Sequence, residues 1–113
     1  MERHDILGVK VTSCKKAELN TYIAEVIGNG GKEGILNVNI NCMNLSYQLP
    51  WLREFLNECK VVFCDSDGVR LGARLLGLTI EEKITYNRWI WDLAELSEIR
   101  GFTWYLVGAQ QPV

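Results

Sequence analysis

Apolar and polar positions follow two different periods along this chain, and the places where one period gives way to the other mark out its elements. Ile6 to Val11 reads as a short strand, with Thr12 and Ser13 as helix caps and Leu19, Tyr22, Ile23, Val26 and Ile27 then recurring at helical spacing. Gly28-Asn29-Gly30-Gly31 ends that helix, because glycine and asparagine tolerate the left-handed backbone that terminates helices. From Ile35 to Asn41 the period is two: Leu36, Val38 and Ile40 face one way, and Asn37, Asn39 and Asn41 the other. In an interior strand each of those amides needs a hydrogen bond from protein, water or ligand; on an edge strand they would face solvent.

Pro50 opens a second helix, with Trp51, Leu52, Phe55, Leu56 and Cys59 on one face. Val61-Val62-Phe63-Cys64 is apolar throughout, the pattern of a parallel strand covered on both sides. Asp65-Ser66-Asp67-Gly68 ends it, and Val69 to Leu76 reads as a helix whose Gly72 costs about 1 kcal/mol relative to alanine unless something packs closely on it. Gly77 closes that helix. Glu81 to Asn87 is a polar connection, Arg88 to Arg100 a further helix bearing Trp89, Ile90, Leu93 and Leu96, Gly101 a hinge, and Phe102 to Val107 a last strand. Strands alternating with helices predict one α/β domain over residues 1–113, a Rossmann-like, mainly parallel sheet with flanking helices and right-handed connections.

Composition narrows the function classes. With 113 residues, 48% hydrophobic and 23% charged, the chain can build an ordinary core. A net charge of -2 without a basic run argues against nucleic acid as a partner, since phosphates are neutralised by clustered Lys and Arg. Cys14, Cys42, Cys59 and Cys64 lack C-x-x-C spacing and sit in apolar stretches, as free thiols of a reducing, cytoplasmic compartment do. His4 is the only histidine, which leaves little room for Ser-His or Cys-His chemistry. There is no leader-like apolar region, and no apolar run approaches the roughly 18 residues of a spanning helix.

In parallel α/β sheets ligands bind beyond the carboxyl ends of the strands, where helix N-termini present free N–H groups. Three strand ends qualify here: Asn37, Asn39 and Asn41; Asp65 through Gly68; and Gly108-Ala109-Gln110-Gln111. Gly72 and Gly108 allow close backbone approach, either to a diphosphate or to a neighbouring element. Trp89, Trp91 and Trp104 at their spacing suit a core better than a sugar-stacking platform.

Asn39 through Asn44-Leu45, Pro50-Trp51-Leu52-Arg53, Asp65-x-x-Gly68-Val69, Ala73-Arg74-Leu75-Leu76-Gly77 and Leu106-Val107-Gly108 together resemble the WecG/TagA/CpsF glycosyltransferase family, collinearly from Ile6 onward. That family includes the wall teichoic acid N-acetylmannosaminyltransferase and the enterobacterial common antigen transferase. The resemblance implies an inverting transfer of an N-acetylmannosamine-type sugar from a UDP-sugar donor to an undecaprenyl-diphosphate-linked acceptor, with no cofactor and no metal. It places the general base on Asp65, which must take the acceptor hydroxyl proton as the glycosidic bond forms. Read on its own, Asp65 is equally a helix N-cap. Substrate contacts fall on Asn37, Asn39, Gly68, Lys83, Thr85, Gly108 and Gln110. Asp65-Ser66-Asp67 also spells the D-x-D of metal-using transferases, but the family position matched by Asp67 is not a metal ligand.

Several residues depart from the family pattern. Asn37 stands where threonine is common, Ser66 replaces a glycine, Lys83 an arginine, and Arg88 an acidic residue. Lysine keeps the charge but cannot fork onto a diphosphate as a guanidinium does; on the bland reading, Lys83 and Arg88 are solvated charges at a helix start. Family members run to roughly twice this length, so the resemblance covers an N-terminal half. The remainder would carry further substrate contacts and any peripheral attachment to the inner face of the membrane. An unpaired Phe102–Val107 edge would then favour a homo-oligomer. The competing expectation is a nucleotide-binding or protein-interaction module that keeps the scaffold without turnover.

Overall fold

The computed structural model describes residues 1–110. Four strands form one sheet in the order β1-β2-β4-β3, with β1 at Glu2–Ile6, β2 at Val9–Ser13, β3 at Ile35–Val38 and β4 at Val61–Cys64. β1 and β2 are antiparallel, while β2 and β3 both run parallel to β4. Five helices flank the sheet: α1 (Lys16–Gly28), α2 (Ile40–Gln48), α3 (Pro50–Glu58), α4 (Asp67–Leu75) and α5 (Tyr86–Arg100). The fold is the expected mixed α/β sheet, mainly parallel.

β4 shows most directly why the layers form. All four of its residues are buried, and the pleat sends them alternately to opposite sides. Val62 and Cys64 join Val11, Val38, Leu56, Val69 and Ala73 beneath α2, α3 and α4, whereas Val61 and Phe63 join Leu19, Ile84 and Trp89 beneath α1 and α5. A helix layer on each face is what an apolar parallel strand requires.

The expected first strand, Ile6 to Val11, is instead a hairpin whose turn has Leu7 at φ 52° and Gly8 at φ 91°. Positive φ at both turn positions matches the right-handed strand twist, and Asp5 Oδ1 accepts from the Gly8 N–H at 2.8 Å. Thr12 and Ser13 cap no helix. Both are buried strand residues whose hydroxyls accept from the Val62 N–H and the Glu81 N–H, each at 2.9 Å, and the cap position of α1 belongs to Lys15. The asparagine strand stops at Val38, because the Asn39 side chain turns back to accept from the Cys42 N–H at 2.8 Å and starts α2.

Pro50 opens α3 as expected. α4 and α5 each start two residues before the expected Val69 and Arg88. Gly101 ends α5 at φ 72°, and the Phe102 N–H donates to the Ser97 carbonyl at 2.9 Å. Phe102 to Val107 is not a strand: it pairs with none of the described residues, and Tyr105, Leu106 and Val107 are 80–92% exposed. Of the tryptophans, Trp89 is core, Trp91 is exposed, and Trp104 donates to Ser97 Oγ. No helix among the described residues is long and apolar enough to cross a membrane.

Candidate functional site

The carboxyl ends of β3 and β4 lie side by side, with Val38 opposite Cys64. Each strand passes directly into a helix, so the first turns of α2 and α4 meet at that end of the sheet. Gly68 permits the approach: a Cβ there would sit 2.6 Å from Ile40 Cγ1 and 2.8 Å from Ile40 Cδ1. Nothing lies within 4 Å of a Cβ built on Gly72, so the close packing its helical position called for belongs to Gly68 instead.

Asp65 stands in the joint between β4 and α4, half-buried. It does not cap the helix; Ser66 does, its hydroxyl accepting from the Val69 N–H at 3.2 Å. The Asp65 carboxylate is therefore left for other partners. Its backbone N–H donates to the Val38 carbonyl at 3.2 Å, and its Oδ2 accepts from Asn37 Nδ2 at 2.7 Å. Asn37 Oδ1 in turn accepts from the Tyr86 hydroxyl at 2.9 Å. The negative charge of Asp65 is felt by its neighbours. Burial first, and then this charge, push the Tyr86 phenol above its ordinary range. The Cys42 and Cys64 thiols are raised mainly by burial, with Asp65 contributing at both.

The connection after α4 is drawn onto the same edge. The Ile84 N–H donates to the Cys64 carbonyl at 2.9 Å, carrying Lys83 and Thr85 past the end of β4. Lys83 Nζ binds Asp67 Oδ2 at 2.9 Å, and this contact holds the Asp67 carboxyl below the usual carboxylate range. Thr85 sits at the cap position of α5 without a side-chain capping bond. Lys83 and Thr85 line a cleft of about 420 Å³ together with Lys16, Glu82, Ile84, Asn87 and Arg88. Lys16 is itself committed, with Nζ 2.6 Å from Asp92 Oδ2.

The structure thus gathers Asn37, Asp65 and Gly68 at the ends of β3 and β4, with Asn39 as the cap of α2 and Lys83 and Thr85 on the adjoining connection. It does not bring Gly108 and Gln110 to them by any hydrogen bond; both are exposed in the unpaired stretch after α5, and Gln111 lies outside the described residues. Tyr86 was not apparent from the sequence. The signal for it is slight: one aromatic residue directly after Thr85 at a polar helix start. Among the described residues no three His, Cys, Asp or Glu side chains are grouped to hold a metal ion.

The family model of the WecG/TagA/CpsF glycosyl transferases matches residues 4–113. No curated protein and no solved structure gives a significant match.

Proposed function

Because the chain belongs to the WecG/TagA/CpsF family of glycosyl transferases, we propose that it serves transfer of an N-acetylmannosamine-type sugar from a UDP-sugar to an undecaprenyl-diphosphate-linked acceptor in cell-envelope polysaccharide synthesis. The transfer inverts the anomeric carbon and needs no metal. The observation that carries this reading is the Asp65 carboxylate at the end of β4, one oxygen held by Asn37 at 2.7 Å and neither spent on capping α4. In the proposed step the acceptor hydroxyl gives its proton to Asp65 while its oxygen bonds to the anomeric carbon. The bond from that carbon to the UDP oxygen breaks, and UDP leaves with the electron pair.

Lys83 and Thr85, in the cleft beside the site, are the proposed contacts to the diphosphate. Asn39 and Gly68 act through backbone placed at two helix starts, and Gly108 and Gln110 are proposed as further donor contacts from the exposed stretch after α5. The Lys83 to Asp67 contact supports a second reading, a nucleotide-binding or interaction module without turnover, because an ammonium already paired binds a diphosphate less well. Self-association and work at the inner face of the membrane complete the proposal.

Asp65→Asn separates the two readings. It removes the proton acceptor and keeps the shape, so turnover falls roughly 10²- to 10⁴-fold while UDP affinity stays within a few-fold. Full transfer by the Asn variant would remove Asp65 from the mechanism, and absence of transfer by the unaltered protein with UDP still bound would favour the module. UDP titrated in EDTA and in excess Mn²⁺ gives the same affinity; a gain of about tenfold with the ion would restore the D-x-D reading.

A further inference from the structure

Asp65 is reached through a short chain of hydrogen bonds that begins on an aromatic residue the family motifs do not include. The Tyr86 hydroxyl is 2.9 Å from Asn37 Oδ1, and Asn37 Nδ2 is 2.7 Å from Asp65 Oδ2. We propose that Tyr86 is a positioning residue of this site: it braces the Asn37 amide against Asp65 Oδ2, and thereby leaves Asp65 Oδ1 as the oxygen that takes up the acceptor proton. The proposal rests on the reading of Asp65 as the base.

The donor and acceptor inventory allows one arrangement. An ionised carboxylate can only accept, so the edge of Asn37 turned toward it must be the NH₂. The amide oxygen then faces Tyr86, whose hydroxyl must donate. Without that hydroxyl the amide oxygen loses its donor and the amide is held from the Asp65 side alone, free to swing about its contact with the carboxylate. The 2.7 Å contact to Asp65 Oδ2 would then be kept less tightly, and the two carboxylate oxygens less sharply distinguished. Burial and the charge of Asp65 keep the phenol protonated, and hence a donor, further into the alkaline range than a free tyrosine.

The phenol is held in place by packing. Its ring meets Phe63 edge-on, with centroids 5.9 Å apart and planes at 69°, and lies 5.8 Å from the ring of Trp89. Phe63 is fully buried and two residues before Asp65, on the same side of the pleat. Trp89 is buried in turn and donates through Nε1 to Asn20 Oδ1 at 2.8 Å, tying α5 to α1. The hydroxyl is thus carried on a half-exposed ring braced by two core rings, while Asn37 and Asp65 stand at the edge of that core.

Tyr86→Phe keeps these ring contacts and removes only the hydroxyl, so the near-ultraviolet signal of the packed aromatics should be retained. The direct readout is the side-chain amide of Asn37 in ¹⁵N-labelled protein, assigned by its loss in Asn37→Ala. In the unaltered protein its two protons are well separated and exchange slowly; in Tyr86→Phe the separation shrinks and exchange quickens about tenfold, the scale of one hydrogen bond. An Asn37 amide unchanged in Tyr86→Phe overturns the proposal.

Transfer from UDP-N-acetylmannosamine supplies the second readout. Tyr86→Phe lowers kcat roughly 3- to 30-fold with the donor KM within twofold, and in an Asn37→Ala background it has no further effect. A further loss in that background means that Tyr86 acts by another route, and overturns the proposal equally. If the Asn37 amide responds as expected but Asp65→Asn retains full transfer, the assignment of the base falls while the placing of Asn37 by Tyr86 stands.

Discussion

At the scale of single residues, burial decides chemistry more than residue type does. Cys14 is 1% exposed, and burial, reinforced by the charges of Glu18, Glu81 and Glu82, pushes its thiol up to about 11 from an ordinary value of 9.0. The neutral thiol is therefore favoured by folding. Below pH 9 the folded and unfolded chains both hold the proton and no stability is lost; between about pH 9 and 11 the unfolded chain ionises first and stability falls. The urea midpoint should drop through that window, and drop less in Cys14→Ala. An equal drop in both proteins would place the alkaline sensitivity elsewhere. Asp65 follows the same rule by a different route: the sequence left base and helix cap equally open, and the Ser66 hydroxyl takes the cap, which frees the carboxylate for Asn37.

At the scale of elements, the joint between α2 and α4 is set by one missing methyl group. Gly68→Ala would place a Cβ 2.6 Å from Ile40 Cγ1, so one helix start must shift, at about 1–3 kcal/mol. Truncating the obstruction in the double variant Gly68→Ala/Ile40→Ala should recover most of the loss attributable to Gly68→Ala, measured as a double-mutant cycle in urea. Additive losses would mean that the two side chains do not meet. The sequence marked Gly68 as part of a turn, a family motif and an implied substrate contact, and looked for close packing at Gly72, because spacing along a helix says nothing of which neighbour crosses it. The element boundaries failed for a related reason. Asn39 continues the alternation of Leu36, Asn37 and Val38, yet its side chain satisfies the backbone of Cys42 and ends the strand. In the hairpin, Leu7 takes a positive φ that leucine disfavours, so residue preference gave no warning of the turn.

At the scale of the whole molecule, three backbone surfaces are left without partners among the described residues: the outer edges of β1 and β3 and the stretch from Thr103 to Val107. Thr103, Trp104, Tyr105 and Val107 favour strands, and an apolar edge with free N–H and C=O groups recruits another chain. The expected state at micromolar concentration is therefore self-associated. Light scattering tests this, and Leu106→Lys/Val107→Lys should shift the population to monomer; a monomer at all concentrations in the unaltered protein would show that these surfaces do not attract one another. What the sequence determined by itself was the α/β class with a mainly parallel sheet, the doubly covered strand Val61–Cys64, the helix at Pro50 and the family, because these depend on local period and on residues close together along the chain. Only the tertiary structure decided that Asn37 touches Asp65, that Tyr86 stands behind Asn37, that Lys83 is engaged by Asp67 and that the stretch from Thr103 to Val107 is left unpaired. Asn37 and Tyr86 are 49 residues apart, and Asn37 and Asp65 are 28 apart. Such pairs meet only once a parallel sheet has set β3 beside β4 and α5 has packed beneath them, and no periodicity in a single chain encodes that distance.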